Sequence, residues 1–137
     1  MLRLVFALAI GTWLGALVLL SFVVTPLAHR TFAARDARRL LRPLFPRCYL
    51  LGVACGFVAL ATVLLGRPML PQSEALRLSL PTAAGMACMI AGLWLFPRLR
   101  DLDGDDARFL RLHQVSAMLN STAMGALTLA MAAAVMR

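Results

Sequence analysis

Residues 4–27 read LVFALAIGTWLGALVLLSFVVTPL and contain no charged side chain. At 1.5 Å rise per residue, about 20 apolar residues cross a hydrocarbon core of about 30 Å, so this stretch is long enough to span a bilayer. Three more stretches pass the same test, at 48–65, 78–96 and 113–136. Together the four fill most of the 137 residues and leave three short connectors. The expected fold is all-α: a single integral membrane domain over 1–137, built as a four-helix up-and-down bundle.

Composition leads to the same class. Hydrophobic residues make up 61% of the chain and charged residues 15%, with mean hydropathy +0.82. Soluble domains lie nearer half apolar and a quarter charged, and a domain this small cannot hide the excess from water. An apolar N-terminus behind Arg3 also has the look of a secretory signal. The run is longer than a signal core, however, and only Ala28 offers a cleavage position, so it reads as an uncleaved span.

The formal charge is +8. All fourteen basic residues are arginine, they sit outside the apolar runs, and none is interleaved with aromatics that could stack bases. Nucleic acid is therefore not the expected partner; membrane lipid is. The first and third connectors hold Arg30, Arg35, Arg38, Arg39, Arg42, Arg47, Arg98, Arg100, Arg108 and Arg111, against Arg3, Arg67, Arg77 and Arg137 on the other side. The excess places the first and third connectors in the cytoplasm and both termini outside. Cys48, Cys55 and Cys88 fall inside apolar runs without CxxC spacing, which argues for packing cysteines rather than a disulfide framework or zinc site.

Proline and glycine set the expected boundaries. Pro26 predicts a kink, followed by an amphipathic interfacial helix from Ala28 to Leu41, between helices 1 and 2, whose Arg35, Arg38, Arg39 and Arg42 meet lipid headgroups. Pro43 and Pro46 are expected to break that stretch and open the second span. Pro68 and Pro71 end the second span, Pro81 lies in the first turns of the third, and Pro97 closes it. Asp103 or Asp105 is placed to cap the fourth helix. Small residues mark helix contacts in lipid, so Gly11 with Gly15, Gly52 with Gly56, and Gly85 with Gly92 are assigned to packing seams.

The fourth span carries the candidate site. His113, Ser116 and Asn120 follow i, i+3, i+7 and share one helix face, which Met124 and Met131 continue. Polar groups in a span are costly unless partnered, so this face should point inward. Two readings stand: interhelical hydrogen bonding by Ser116 and Asn120, or a small polar pocket for a ligand, ion or proton. Copper(I) would suit His113 and Met124, with Met86, Cys88 and Met89, and a haem could be bracketed by His29 and His113. No cofactor is the base expectation, since methionine is ordinary core filler. No nucleophile elbow, phosphate loop, HExxH or intramembrane carboxylate is present in the sequence, which argues against an enzyme or a proton-coupled transporter.

Three segments, FVVTP at 22–26, LFPRCYLLGVACGFVAL at 44–60 and above all FLRLHQVSAMLN at 109–120, together resemble a bacterial inner-membrane family of unknown function related to the transmembrane protein 205-like proteins of eukaryotes. The resemblance extends over nearly the whole chain, with four helices in the same order. Pro26, Phe45, His113, Ser116 and Asn120 match the family pattern, whereas His29 stands where relatives tend to carry an aromatic. It implies a bacterial inner-membrane bundle without assigned biochemistry, whose eukaryotic relatives are linked to metal-drug tolerance and trafficking. A distant similarity to copper-resistance proteins and to a haem-synthesis oxidase implies a ligand-binding bundle by fold analogy alone. Two functional classes follow: an accessory or scaffold subunit that contacts other membrane proteins, a second copy or anionic lipid, and a small-ligand, metal or haem bundle around His113 and Asn120.

Overall fold

A computed structural model describes residues 1–100 and 107–136, with the backbone alone for Arg100 and Phe109. The first rod joins α1 (Leu2–Val18), a π-helical stretch (Leu19–Val24) and α2 (Thr25–Thr31). It is followed by α3 (Ala34–Gly66), a 3-10 turn (Arg67–Met69), α4 (Gln72–Arg100) and α5 (Ala107–Val135). There are no strands among the described residues. All four rods are long and apolar enough to cross a membrane.

Each rod buries one stripe. On α1 it is Phe6, Ile10, Trp13 and Leu17; on α3, Tyr49, Gly52, Gly56, Ala59 and Val63; on α4, Leu78, Thr82, Gly85, Met89 and Gly92; on α5, Ala123, Leu127 and Ala130. Steps of three and four keep these positions on one side of a 3.6-residue helix. The stripes bring α1 against α3 and α5, α3 against α4, and α4 against α5.

Trp13 is fully buried where three rods meet. A Cβ at Gly52 would fall 2.5 Å from its Nε1, one at Gly56 3.3 Å from its Cζ3, and one at Gly85 3.3 Å from its Cη2. Glycine is needed here because the indole occupies the space a side chain would fill. Gly92 does the same for the Tyr49 ring, at 3.1 Å, and Gly11 meets Met131 at 3.3 Å. Gly15 departs from the expected seam: it is exposed and a Cβ there would touch nothing within 4 Å.

The prolines act differently from the expectation. No helix break occurs at Pro43 or Pro46, since both lie inside the continuous α3. The separate interfacial helix over Ala28–Leu41 is therefore corrected: Ala28–Thr31 finishes the first rod, and 34–41 begins the second. The break falls at Phe32, whose extended backbone (φ −114°, ψ 153°) ends α2. The start of α3 is held helical by a small apolar cluster in which Ala37 and Leu41 pack on Ala28, with Val24, Leu44 and Phe45 around them. That burial, on the face opposite Arg35, Arg39 and Arg42, offsets the backbone hydrogen bonds the prolines cannot make. Pro97 likewise lies inside α4 rather than closing it.

Around Pro26 the chain stays helical, and the irregularity lies just upstream, in the π-helical stretch. Its wider turn accommodates a residue that has no N–H to donate and whose ring crowds the preceding turn. Thr25 Oγ1 donates to Leu20 O at 2.7 Å, the same carbonyl that accepts the Thr25 backbone N–H. The capping positions assigned to Asp103 and Asp105 lie outside the described residues.

Gly52→Ala is expected to lower stability by about 1–3 kcal/mol through overpacking against Trp13. Gly15→Ala should be neutral or stabilise by up to about 1 kcal/mol, because only helix propensity changes. Thermal unfolding in detergent followed by circular dichroism checks both, and equal effects at the two glycines would refute the seating of Trp13.

Candidate functional site

Hydroxyls in an apolar span must find acceptors. Most do so locally. Thr62 donates to Ala59 O and Thr82 to Leu78 O, both at 2.7 Å, and Thr128 donates to Met124 O at 2.8 Å. Among the described residues one hydroxyl pair crosses between helices: Tyr49 of α3 and Ser116 of α5 share a hydrogen bond at 3.0 Å between hydroxyl oxygens.

Tyr49 is 2% exposed. Three neighbours fix its ring: Gly92 leaves room for it on α4, Phe45 lies one turn back with ring centroids 6.4 Å apart, and Ser116 holds the hydroxyl. Asn120 lies one turn beyond Ser116 on the same side of α5. Asn120 Oδ1 is itself buried without a hydrogen-bond partner, as is Trp13 Nε1. A buried polar atom left unpaired costs about 1–3 kcal/mol, so these two atoms mark the core's least satisfied region.

The structure thus brings Ser116 and Asn120 together as the sequence suggests and adds Tyr49, which sequence reasoning missed. The signal was available, because Tyr49 is the chain's only tyrosine and falls inside an apolar run. His113, expected on the same inward face, is instead exposed on α5, and His29 is exposed on α2. Met124 is half-buried against the core, and Met89 is fully buried. No group of three or more His, Cys, Asp or Glu side chains able to hold a metal occurs among the described residues. The chemistry of the Tyr49, Ser116 and Asn120 cluster is that of hydroxyls and an amide, which bind and orient through hydrogen bonds.

At the end of the rods where α2 meets α3, Arg35, Arg38, Arg39 and Arg42 are exposed. On the same side, the Arg98 guanidinium lies 4.2 Å from the centroid of the exposed Trp94 ring, a cation–π pair suited to an interfacial belt. At the opposite end, Arg3 at the start of α1 pairs with Glu74 at the start of α4.

Residues 8–108 match the domain-of-unknown-function family DUF4149. The chain belongs to this family. The DUF4149 match takes in the first three rods and stops as α5 begins, ahead of FLRLHQVSAMLN, the segment on which the resemblance chiefly rests. Tyr49 and Gly92 lie within the DUF4149 region, and Ser116 and Asn120 beyond it. No curated protein and no solved structure matches the chain.

Tyr49→Phe and Ser116→Ala are each expected to lower stability by about 0.6 kcal/mol, the usual size of an interhelical hydrogen bond in a membrane. Their effects should not add, since each removes the same bond. Additive losses in a double-mutant cycle would show that the bond contributes nothing.

Proposed function

We propose that this DUF4149 protein is an accessory or scaffold subunit of the bacterial inner membrane, of the transmembrane protein 205-like type. In this reading it is an up-and-down bundle with both termini outside. It contacts a second copy or another membrane protein through α5, and anionic lipid through Arg35, Arg38, Arg39 and Arg42. The supporting observation is the outer face of α5. In the most apolar window of that helix only 17% of residues are buried, against 39% for α3.

Gln114, Ser121, Gly125 and Thr128 follow i, i+7, i+11, i+14, share one side of α5, and are all exposed. Thr128 is already bonded to Met124 O, while lipid tails give Gln114 and Ser121 nothing to bond to and Gly125 nothing to interlock with. A partner helix does, because small side chains allow close backbone approach and polar ones bond across the contact. The adjacent Thr122 widens the same exposed face.

A second reading, a bundle that binds or transports a small ligand, metal or haem at His113, Ser116 and Asn120, is favoured by one observation: the buried, unpartnered Asn120 Oδ1. Native purification with mass spectrometry separates the two. The scaffold reading expects a protein partner or a second copy that is lost in Gly125→Leu while thermal stability is kept, since a side chain at Gly125 would meet nothing within 4 Å. A coloured or copper-bearing preparation that His113→Ala strips of its cofactor would instead establish the second reading.

The topology is checked separately. A reporter active only outside the cytoplasm should work when fused after Arg137, and activity only of a cytoplasmic reporter there would invert the bundle.

A further inference from the structure

Two helix faces converge at the turn between α3 and α4. Leu60 and Leu64 on α3 with Arg67 just past its end, and Gln72, Leu76 and Ser79 on α4, form the walls of a groove of ≈ 520 Å³. Both sets follow i, i+4, i+7, so each wall is a single helix face about 10 Å long. The volume falls in the range of about 300–1,000 Å³ typical of small-molecule sites. Polarity is graded along its length. The turn end carries a cation and an amide, Arg67 and Gln72; Leu60, Leu64 and Leu76 follow, with the Ser79 hydroxyl farther along the α4 wall.

Arg67 is exposed and pairs with no carboxylate among the described residues. An adjoining groove of ≈ 430 Å³ shares Val63 and Leu70 with the first, but its own cation, Arg3, is matched by Glu74. Charge complementarity therefore singles out the groove at Arg67. A guanidinium there can bind phosphate through two parallel N–H donors.

We propose that this groove is a binding site for an anionic phospholipid in the leaflet facing the α3–α4 turn. The phosphate sits on Arg67, with the Gln72 amide as a second donor. The upper part of one acyl chain lies along Leu60, Leu64 and Leu76. A zwitterionic lipid offers the same phosphate but adds an ammonium group beside Arg67, a cation with no carboxylate partner among the described residues, and binds more weakly. The site is distinct from the arginine face at the other end of α3, which presents charge to headgroups without a groove for the tail.

The test titrates the purified full chain in detergent with phosphatidylglycerol and with phosphatidylcholine of identical acyl chains, and counts bound lipid by native mass spectrometry. The wild type should bind phosphatidylglycerol about fivefold more tightly, the effect of one arginine near a membrane surface. Arg67→Gln should abolish that preference. Arg77→Gln, at the same end but outside the groove, should keep it, and this comparison cancels the contribution of the distant arginine face. Leu76→Trp, which fills the groove from its wall, should weaken both lipids. The proposal is overturned if Arg67→Gln retains the preference, if Arg77→Gln loses it equally, or if Leu76→Trp binds as the wild type does.

Discussion

The seating of Trp13 is the constraint on which the other contacts depend. Between lipid-solvated helices there is no hydrophobic drive to associate, so association rests on close surface fit. Here a fully buried indole is set where Gly52, Gly56 and Gly85 leave no side chain in its way, and that one residue fixes the distance between α1, α3 and α4. Met86 and Met89, which lie against the same glycines, fill the irregular space left around the ring, a role suited to an unbranched thioether. Gly92 repeats the device nearer the arginine-rich end, with Tyr49 as the inserted ring. Two aromatic rings, each admitted by glycine on a facing helix, thus determine how the rods interlock.

The polar groups follow from that interlock. Thr62, Thr82 and Thr128 bond to carbonyls on their own helices and so place no demand on their neighbours. Tyr49 cannot do this, because its hydroxyl reaches too far from its own backbone, and it therefore ties α3 to α5 through Ser116. Trp13 Nε1 faces the helix that makes room for the indole, and at Gly52 that helix presents carbon rather than an acceptor. Its lack of a partner follows from the same close fit that seats the ring.

Much of this was legible in the sequence, for identifiable reasons. The four spans follow from apolar run length, which tertiary packing cannot disguise. The interior roles of Gly52, Gly56, Gly85 and Gly92, and the inward side of Ser116 and Asn120, follow from helical periodicity. Gly15 was misassigned because spacing alone does not say which side of α1 faces its neighbours. Pro43 and Pro46 do not break the helix although the sequence suggests it, because proline's local cost is visible in sequence, while the compensating burial of Ala37 and Leu41 is a tertiary fact. Tyr49 was overlooked because its importance lies in what it meets: Gly92 and Ser116 are far from it along the chain.

The uninterrupted course of α3 also bears on membrane thickness. From Arg42 to Arg67 the helix rises about 37 Å, more than the hydrocarbon core of about 30 Å and less than the about 40–45 Å of a bilayer with its headgroups. With α3 standing across a bilayer as proposed, the two guanidiniums would act as the jaws of a caliper. In a bilayer of matching thickness both reach phosphate at once; in a thinner one the rod must tilt, and in a thicker one an arginine must be drawn inward or the bilayer must thin around it. Because the prolines do not break α3, its orientation responds to the bilayer as a rigid unit, and every helix interlocked with Trp13 leans with it.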